Sequence, residues 1–231
     1  RLFRNQVVST SVVLAFCVAA VLYSGTVFLP LFLQGVKGTT ASNSGLLLAP
    51  VMVGVAVSSM IGGRLTSSTG RYKPWVLIGA VGAICVTVAL TQLDRTTSSP
   101  QVLVAMVGMG LSMGLLIPVT NLAAQNAVPM ADLATTTSTT SFARSLGSTL
   151  GVAVFGAVLN GHLADKLDRI AATSELPAGM DADALANGPD RIRGLAEPLR
   201  TAVRGALADS IASIYTIALV FAVVGLLAAI I

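Results

Sequence analysis

Gly63-Arg64-Leu65-Thr66-Ser67-Ser68-Thr69-Gly70-Arg71-Tyr72-Lys73-Pro74 is a short basic stretch between two long apolar runs. Three of the chain's fourteen Lys and Arg residues fall inside it: Arg64, Arg71 and Lys73. Gly63 and Gly70 allow a tight reversal there, because glycine tolerates backbone angles that a Cβ forbids. Pro74 then suits the start of a helix, where a missing N–H costs nothing. Cations beside apolar spans are retained on the side that needs no translocation, so the stretch is expected to face the cytoplasm.

The composition agrees with such a reading. The chain is 54% hydrophobic and 10% charged, with a mean hydropathy of +0.83. Soluble domains carry roughly 25% charged residues. The apolar runs are long and continuous rather than short and alternating, so helices and not a β-barrel are expected to cross the bilayer. The expected fold class is therefore an all-α membrane protein. Arg1 lies almost directly before the first span and Ile231 falls within an apolar run. The chain therefore reads as part of a longer polypeptide whose N-terminal helices are missing here.

Outward from the basic stretch, six transmembrane spans are expected at about 7–33, 41–62, 74–92, 101–125, 133–160 and 210–231. Arg1 and Arg4 precede the first span. Pro30, near its far end, predicts a bend or an early helix stop. Gln34 to Gly38 forms an outer turn. In the second span, Gly54, Ser58 and Gly62 recur every four residues on one face, and Asn43 or Ser44 suits the helix cap. In the fourth, Gly110 and Gly114 make a small-xxx-small pair for helix packing, and Pro118 removes a backbone hydrogen bond. Asn121, Gln125 and Asn126 gather amides at the span's cytoplasmic end, and Asp132 is placed to cap the next helix.

The fifth span opens with seven consecutive hydroxyl residues, Thr135 to Ser141. At about 100° per residue, Thr137, Thr140, Ser141, Arg144, Gly147, Ser148 and Gly151 share one face. That face is expected to look inward, toward a cavity or another helix. Between Asp165 and Asp209 lie eight of the ten acidic and six of the fourteen basic residues. Residues 161–209 therefore read as an external loop, with amphipathic helical extensions at both ends and a flexible tip near 175–189. Both ends of the chain are then cytoplasmic.

Arg144 is the ionisable residue well inside a span. A charge at that depth costs at least about 2.5 kcal/mol, so it acts either as an anchor for carbonyls and hydroxyls or as part of a transport path. With it, Thr137, Thr140, Ser141, Ser148, Asn121 and Gln125 are candidate path residues, and Gly147, Gly151 and Pro118 join the packing set. His162 reads as a solvated interfacial residue, and Cys17 and Cys85 as small hydrophobes. No metal site, cofactor, nucleic-acid contact or catalytic constellation is indicated, and nothing argues for an enzyme. The spans carry no Asp or Glu at mid-depth, so proton coupling would need a carboxylate from outside this chain.

The first and fourth spans each end in a late proline, then a glutamine, a turn and a hydroxyl-rich helix start. An odd number of spans separates these halves, giving a three-plus-three inverted repeat. Gly63, Leu65, Gly70, Arg71 and the adjacent Lys73 resemble the cytoplasmic loop motif of the major facilitator superfamily, with Ser67 and Ser68 where its Asp and Arg usually stand. Leu29-Pro30-Leu31-Phe32-Leu33-Gln34 and Phe142-Ala143-Arg144-Ser145-Leu146-Gly147 look like the C-terminal six-helix half of its fourteen-helix drug:proton antiporters. That resemblance implies a plasma (inner) membrane exporter of lipophilic or cationic small molecules, driven by protons. A carrier for a specific metabolite and a non-transporting scaffold are the alternatives. A cavity lined by Thr137, Ser141 and Arg144 would favour a carrier.

Overall fold

A computed structural model describes residues 2–39, 48–172, 181, 185 and 189–230. It contains six long helices: α1 (Gln6–Gly35), α2 (Ala49–Thr69), α3 (Lys73–Thr91), α4 (Ser99–Asn126), α5 (Leu133–Ala171) and α6 (Leu199–Ile230). All six are long and apolar enough to cross a membrane. Short 3₁₀ turns occupy Leu2–Arg4, Met130–Asp132 and Pro189–Gly194. The protein is thus an all-α bundle of six membrane-capable helices.

Several boundaries differ from those expected. Residues 41–47, with the proposed caps Asn43 and Ser44, lie outside the described residues, and α2 opens at Ala49 with Pro50 in its first turn. It then continues through Gly63 to Thr69, so the reversal is confined to Gly70 through Tyr72. Gly70 alone in this stretch has a left-handed backbone, φ 65°, and its N–H closes onto Thr66. The extension has a physical basis. Thr66 is buried against the bundle, and the hydroxyls of Ser68 and Thr69 bond back to the Leu65 carbonyl. Nothing between Gly63 and Thr69 therefore forces the helix to end. Pro30 does not stop α1 either: Leu29, Phe32 and Leu33 on either side of it are buried, and packing carries the helix on to Gly35. Asp132 occupies the N-cap position of α5 but makes no side-chain capping bond, because the preceding 3₁₀ turn leaves it in a helical backbone conformation.

The helices form two interlocked triplets. α1 packs on α5, α6 and α4; α4 packs on α2, α3 and α1; α3 also meets α6. Exchanging α1 with α4, α2 with α5 and α3 with α6 maps these neighbours onto one another, which is the arrangement of an inverted repeat. The α5–α6 and α4–α5 contacts break the symmetry, and the helical extensions beyond the expected spans contribute to the first. Leu163 and Leu167 of α5 are buried in the same cluster as Val203 and Leu207 of α6. Lys166 pairs with Asp209, and His162, although exposed, brings Nδ1 within 2.7 Å of Ser213 Oγ. Deeper in the bundle, Phe155 meets Phe28 and Phe221 edge-on, and the fully buried Tyr215 donates to the Ser24 carbonyl at 3.5 Å.

Small residues bring the paired backbones together in both triplets. A Cβ on Gly110 would stand 2.4 Å from the Val51 carbonyl oxygen, and one on Gly114 would stand 2.4 Å from that of Val55. In the other triplet the close approach comes from Gly147 of α5, where a Cβ would fall 2.2 Å from the Phe16 carbonyl oxygen of α1. Such approaches serve as the main association force in lipid, where apolar burial contributes little.

Pro118 has no N–H, so the Gly114 carbonyl four residues earlier loses its helical donor. Ser59 of α2 supplies a replacement, its hydroxyl donating to Gly114 O at 2.9 Å. Ser59→Ala is expected to cost about 1 kcal/mol of stability by orphaning that buried carbonyl. Adding Pro118→Ala returns a donor and should recover most of the loss in a thermal-melt double-mutant cycle. Additive effects in that cycle would show that the serine does not serve the proline's gap.

Candidate functional site

The polar positions of α4 and α5 meet along one antiparallel seam. Asn121 and Gln125 are four residues apart on α4 and so point the same way. Arg144 donates from Nη2 to Asn121 Oδ1 at 3.0 Å. One turn nearer the basic end, Gln125 Nε2 donates to Thr137 Oγ1 at 3.0 Å. The Thr137 hydroxyl donates in turn to the Leu133 carbonyl at 2.9 Å, and that of Thr140 donates to the carbonyls of Thr136 and Thr137. Thr137 and Thr140 thereby satisfy their donors locally, and Thr137 keeps its oxygen for α4, whereas Thr136 Oγ1 is buried without a partner among the described residues.

Arg144 is half-buried, and its acceptor is a neutral amide. Its Nε is buried with no hydrogen-bond partner among the described residues. A guanidinium has five donors in a planar fork. One bond to Asn121 leaves it able to take a further acceptor.

The expected inward stripe is split. Thr140, Gly147 and Gly151 are buried against α1, whereas Ser141 is exposed. Ser148 is half-buried and bonds within its own helix, to Ser145 O at 2.8 Å. The reason lies in the close approach at Gly147 and Gly151, where a Cβ on Gly151 would already touch Ala20 at 3.0 Å. That approach turns the line Thr136–Thr140–Ala143–Gly147–Gly151 onto α1 and swings Ser141 out of the core. Phe142, Leu146, Leu150 and Val154 are exposed beside it.

Asn121 and Gln125 also line an open cavity of about 410 Å³ between α2 and α4, with Gly63, Thr66, Ser67, Pro118, Val119 and Leu122. Thr137, Ser141 and Arg144 are not among its lining residues, so it is not the cavity expected from the sequence. Thr66 Oγ1 is buried there and unpaired among the described residues. The cleft thus offers amide and hydroxyl groups to a solute against an apolar wall, with the guanidinium one hydrogen bond behind. A smaller cavity of about 60 Å³ lies between α1, α3, α4 and α6, bounded by Thr10, Ser11, Tyr72, Lys73 and Thr120. Leu65 is half-buried, whereas Arg64, Gly70, Arg71 and Lys73 are exposed at the same end of the bundle.

Three contributors were not singled out from the sequence. Asn5 caps α1 through Val7 N and binds the Ala127 carbonyl at the end of α4, at 2.7 Å. Ser59 was findable from Pro118, since a freed carbonyl demands a donor on the helix facing it. Thr66 carried no signal, because it sat in a stretch read as a turn.

The sequence profile of the Major Facilitator Superfamily matches residues 1–152. Multidrug transporter protein MdtP of Bacillus subtilis (strain 168) is 34% identical over 170 residues, covering 72% of this chain and 31% of that protein. Multidrug resistance protein 3 of the same organism is 29% identical over 230 residues, covering 96% of this chain and 44% of that protein. The chain therefore spans less than half the length of these curated relatives. Among solved structures, a bacterial homologue of the human lysosomal transporter Spinster, inward-facing and unoccupied, superposes with a TM-score of 0.70. Its sequence identity is 20%, and the match covers 99% of this chain and 49% of that one. With the six-helix fold, its internal repeat and a profile match over about two thirds of its length, this chain belongs to the Major Facilitator Superfamily.

Proposed function

We propose that the polypeptide containing this chain is a secondary active exporter of lipophilic or cationic small molecules, exchanged for protons, with this chain as the C-terminal six-helix half. The observation that carries this reading is the likeness to a protein named for multidrug transport over 72% of the chain and to one named for multidrug resistance over 96% of it. The polar α4–α5 seam supports it, since a scaffold needs no half-satisfied guanidinium between helices. Substrate would lie between this unit and the N-terminal helices of the same polypeptide. A cationic solute would be repelled by Arg144, so that side chain acts by pairing with a carboxylate or by holding the seam rather than by binding the cation. The basic turn and both chain ends face the cytoplasm of a cell whose plasma membrane holds the protein.

The test is efflux of ethidium from cells that express the full-length protein and lack their major exporters. Protein-dependent efflux that stops when a protonophore collapses the proton gradient is the expected result. Efflux indifferent to the gradient would remove proton exchange, and no efflux of any lipophilic cation would leave the specific-metabolite carrier. Orientation is read in the same cells, with Cys17 and Cys85 replaced: a cysteine at Gly194 reacts with an impermeant maleimide and one at Ser68 does not. The reverse pattern would invert the topology.

A further inference from the structure

At the end of the bundle opposite the basic turn, Lys37, Arg95 and Arg204 line a second open cavity of about 410 Å³, with Val36, Thr96 and Thr201. The three cations arrive from three places: just beyond α1, the α3–α4 connection, and the second turn of α6. The framework holding them is tied together. Lys37 Nζ donates to the Arg95 carbonyl at 2.7 Å, and Arg193 Nη2 donates to the carbonyls of Gly38 and Thr39. Gly38 takes a left-handed backbone, φ 70°, and Arg204 Nη2 lies 3.2 Å from where a Cβ would stand. Glycine admits both the bend and the guanidinium.

Among the described residues, the acids next to the cavity in sequence are already engaged. Asp94 accepts from the backbone N–H of Arg95 and from the Thr96 hydroxyl. Glu197 is taken by Arg200 and Thr201. None of the residues lining the cavity is acidic. Arg204 Nε is buried with no hydrogen-bond partner among the described residues. Burial holds the Lys37 ammonium below the usual lysine range; Asp94 pulls it upward and Arg204 pushes it further down. Converging cations, two of them planar forks, match the tetrahedral oxygens of a phosphate.

We propose that this cavity binds a phosphate-type oxyanion, either the headgroup phosphate of an anionic lipid or a free phosphate ion, between Lys37, Arg95 and Arg204. Such a ligand would offset part of the repulsion among three like charges and fasten α1, the α3–α4 connection and α6 to one another. The site stands independently of what the protein transports.

The full-length protein, purified in a neutral detergent and stripped of lipid, is melted while one of three ligands is titrated. These are dioleoylphosphatidylglycerol, dioleoylphosphatidylcholine, and sodium phosphate balanced against sodium chloride of equal ionic strength. A saturable rise in Tm with phosphatidylglycerol alone assigns the site to a lipid headgroup; a rise with phosphate assigns it to the free ion. Arg204→Gln is expected to raise the half-saturating concentration about tenfold, the loss of a charge-assisted bond, and Arg204→Lys should recover part of it. Lys37→Gln carries the same test if Arg204→Gln does not fold. Wild type and both Gln variants responding equally, or no saturable response to either anion, would overturn the proposal.

Discussion

Gly147→Ala is expected to disrupt the bundle more than any other single-methyl change to α5. The added carbon would stand 2.2 Å from the Phe16 carbonyl oxygen, 2.8 Å from its carbonyl carbon and 2.9 Å from its Cα. All three are backbone atoms of α1, so no side chain can rotate away, and α1 and α5 must separate. Overpacking costs about 1–3 kcal/mol where neighbours adjust, occasionally more, and a backbone clash sits at the upper end of that range. Separation would also loosen the Thr140–Gly147–Gly151 face as a whole. Gly156 on the same helix is the control, since a Cβ there meets nothing within 4 Å. Gly156→Ala should leave the melting temperature of the purified full-length protein unchanged or slightly raised, while Gly147→Ala lowers it by many degrees or removes folded protein. Equal melting of the two variants would mean that α1 and α5 are not in contact at this point.

The second large effect is expected at Arg144. Arg144→Ala should reduce ethidium efflux at least about tenfold, corresponding to ~1.4 kcal/mol of barrier stabilisation, at equal membrane abundance. Arg144→Lys keeps the charge and the protein level but loses the planar fork that reaches Asn121, so efflux falls there as well. Asn121→Leu separates two roles: it deletes the seam bond and leaves the guanidinium in place. If the bond alone matters, Asn121→Leu and Arg144→Ala are equally impaired. If the charge matters, the arginine variant is the worse of the two. Unchanged efflux in Arg144→Ala would end the transport role. Disappearance of the Lys and Ala variants alike from the membrane would make Arg144 an anchor.

The amino-acid sequence by itself determined the solvent and the number of spans. Low charge and long apolar runs leave helices as the available way to satisfy the backbone in lipid. The positions of Gly54, Ser58, Gly110 and Gly114 also marked faces where backbones meet, because their spacing is a helical period and their size permits contact. What the tertiary structure decided is the rotation of each helix and the partner of each polar group. In water, an apolar face identifies the core; in a bilayer, lipid and core are equally apolar, and that cue vanishes. The rotation of α5 is set instead by how closely Gly147 and Gly151 let it approach α1, which buries Thr140 and exposes Ser141 although both lay on the predicted stripe. The same close packing extended α2 past Gly63, since a buried Thr66 and hydroxyls bonded to their own helix outweighed a glycine's freedom to turn. Asn121 as the acceptor for Arg144, and Ser59 as the donor to the carbonyl Pro118 left free, join residues far apart in the chain. Spacing within one helix fixes a direction about its own axis, and only assembly of the bundle brings a neighbour to meet it.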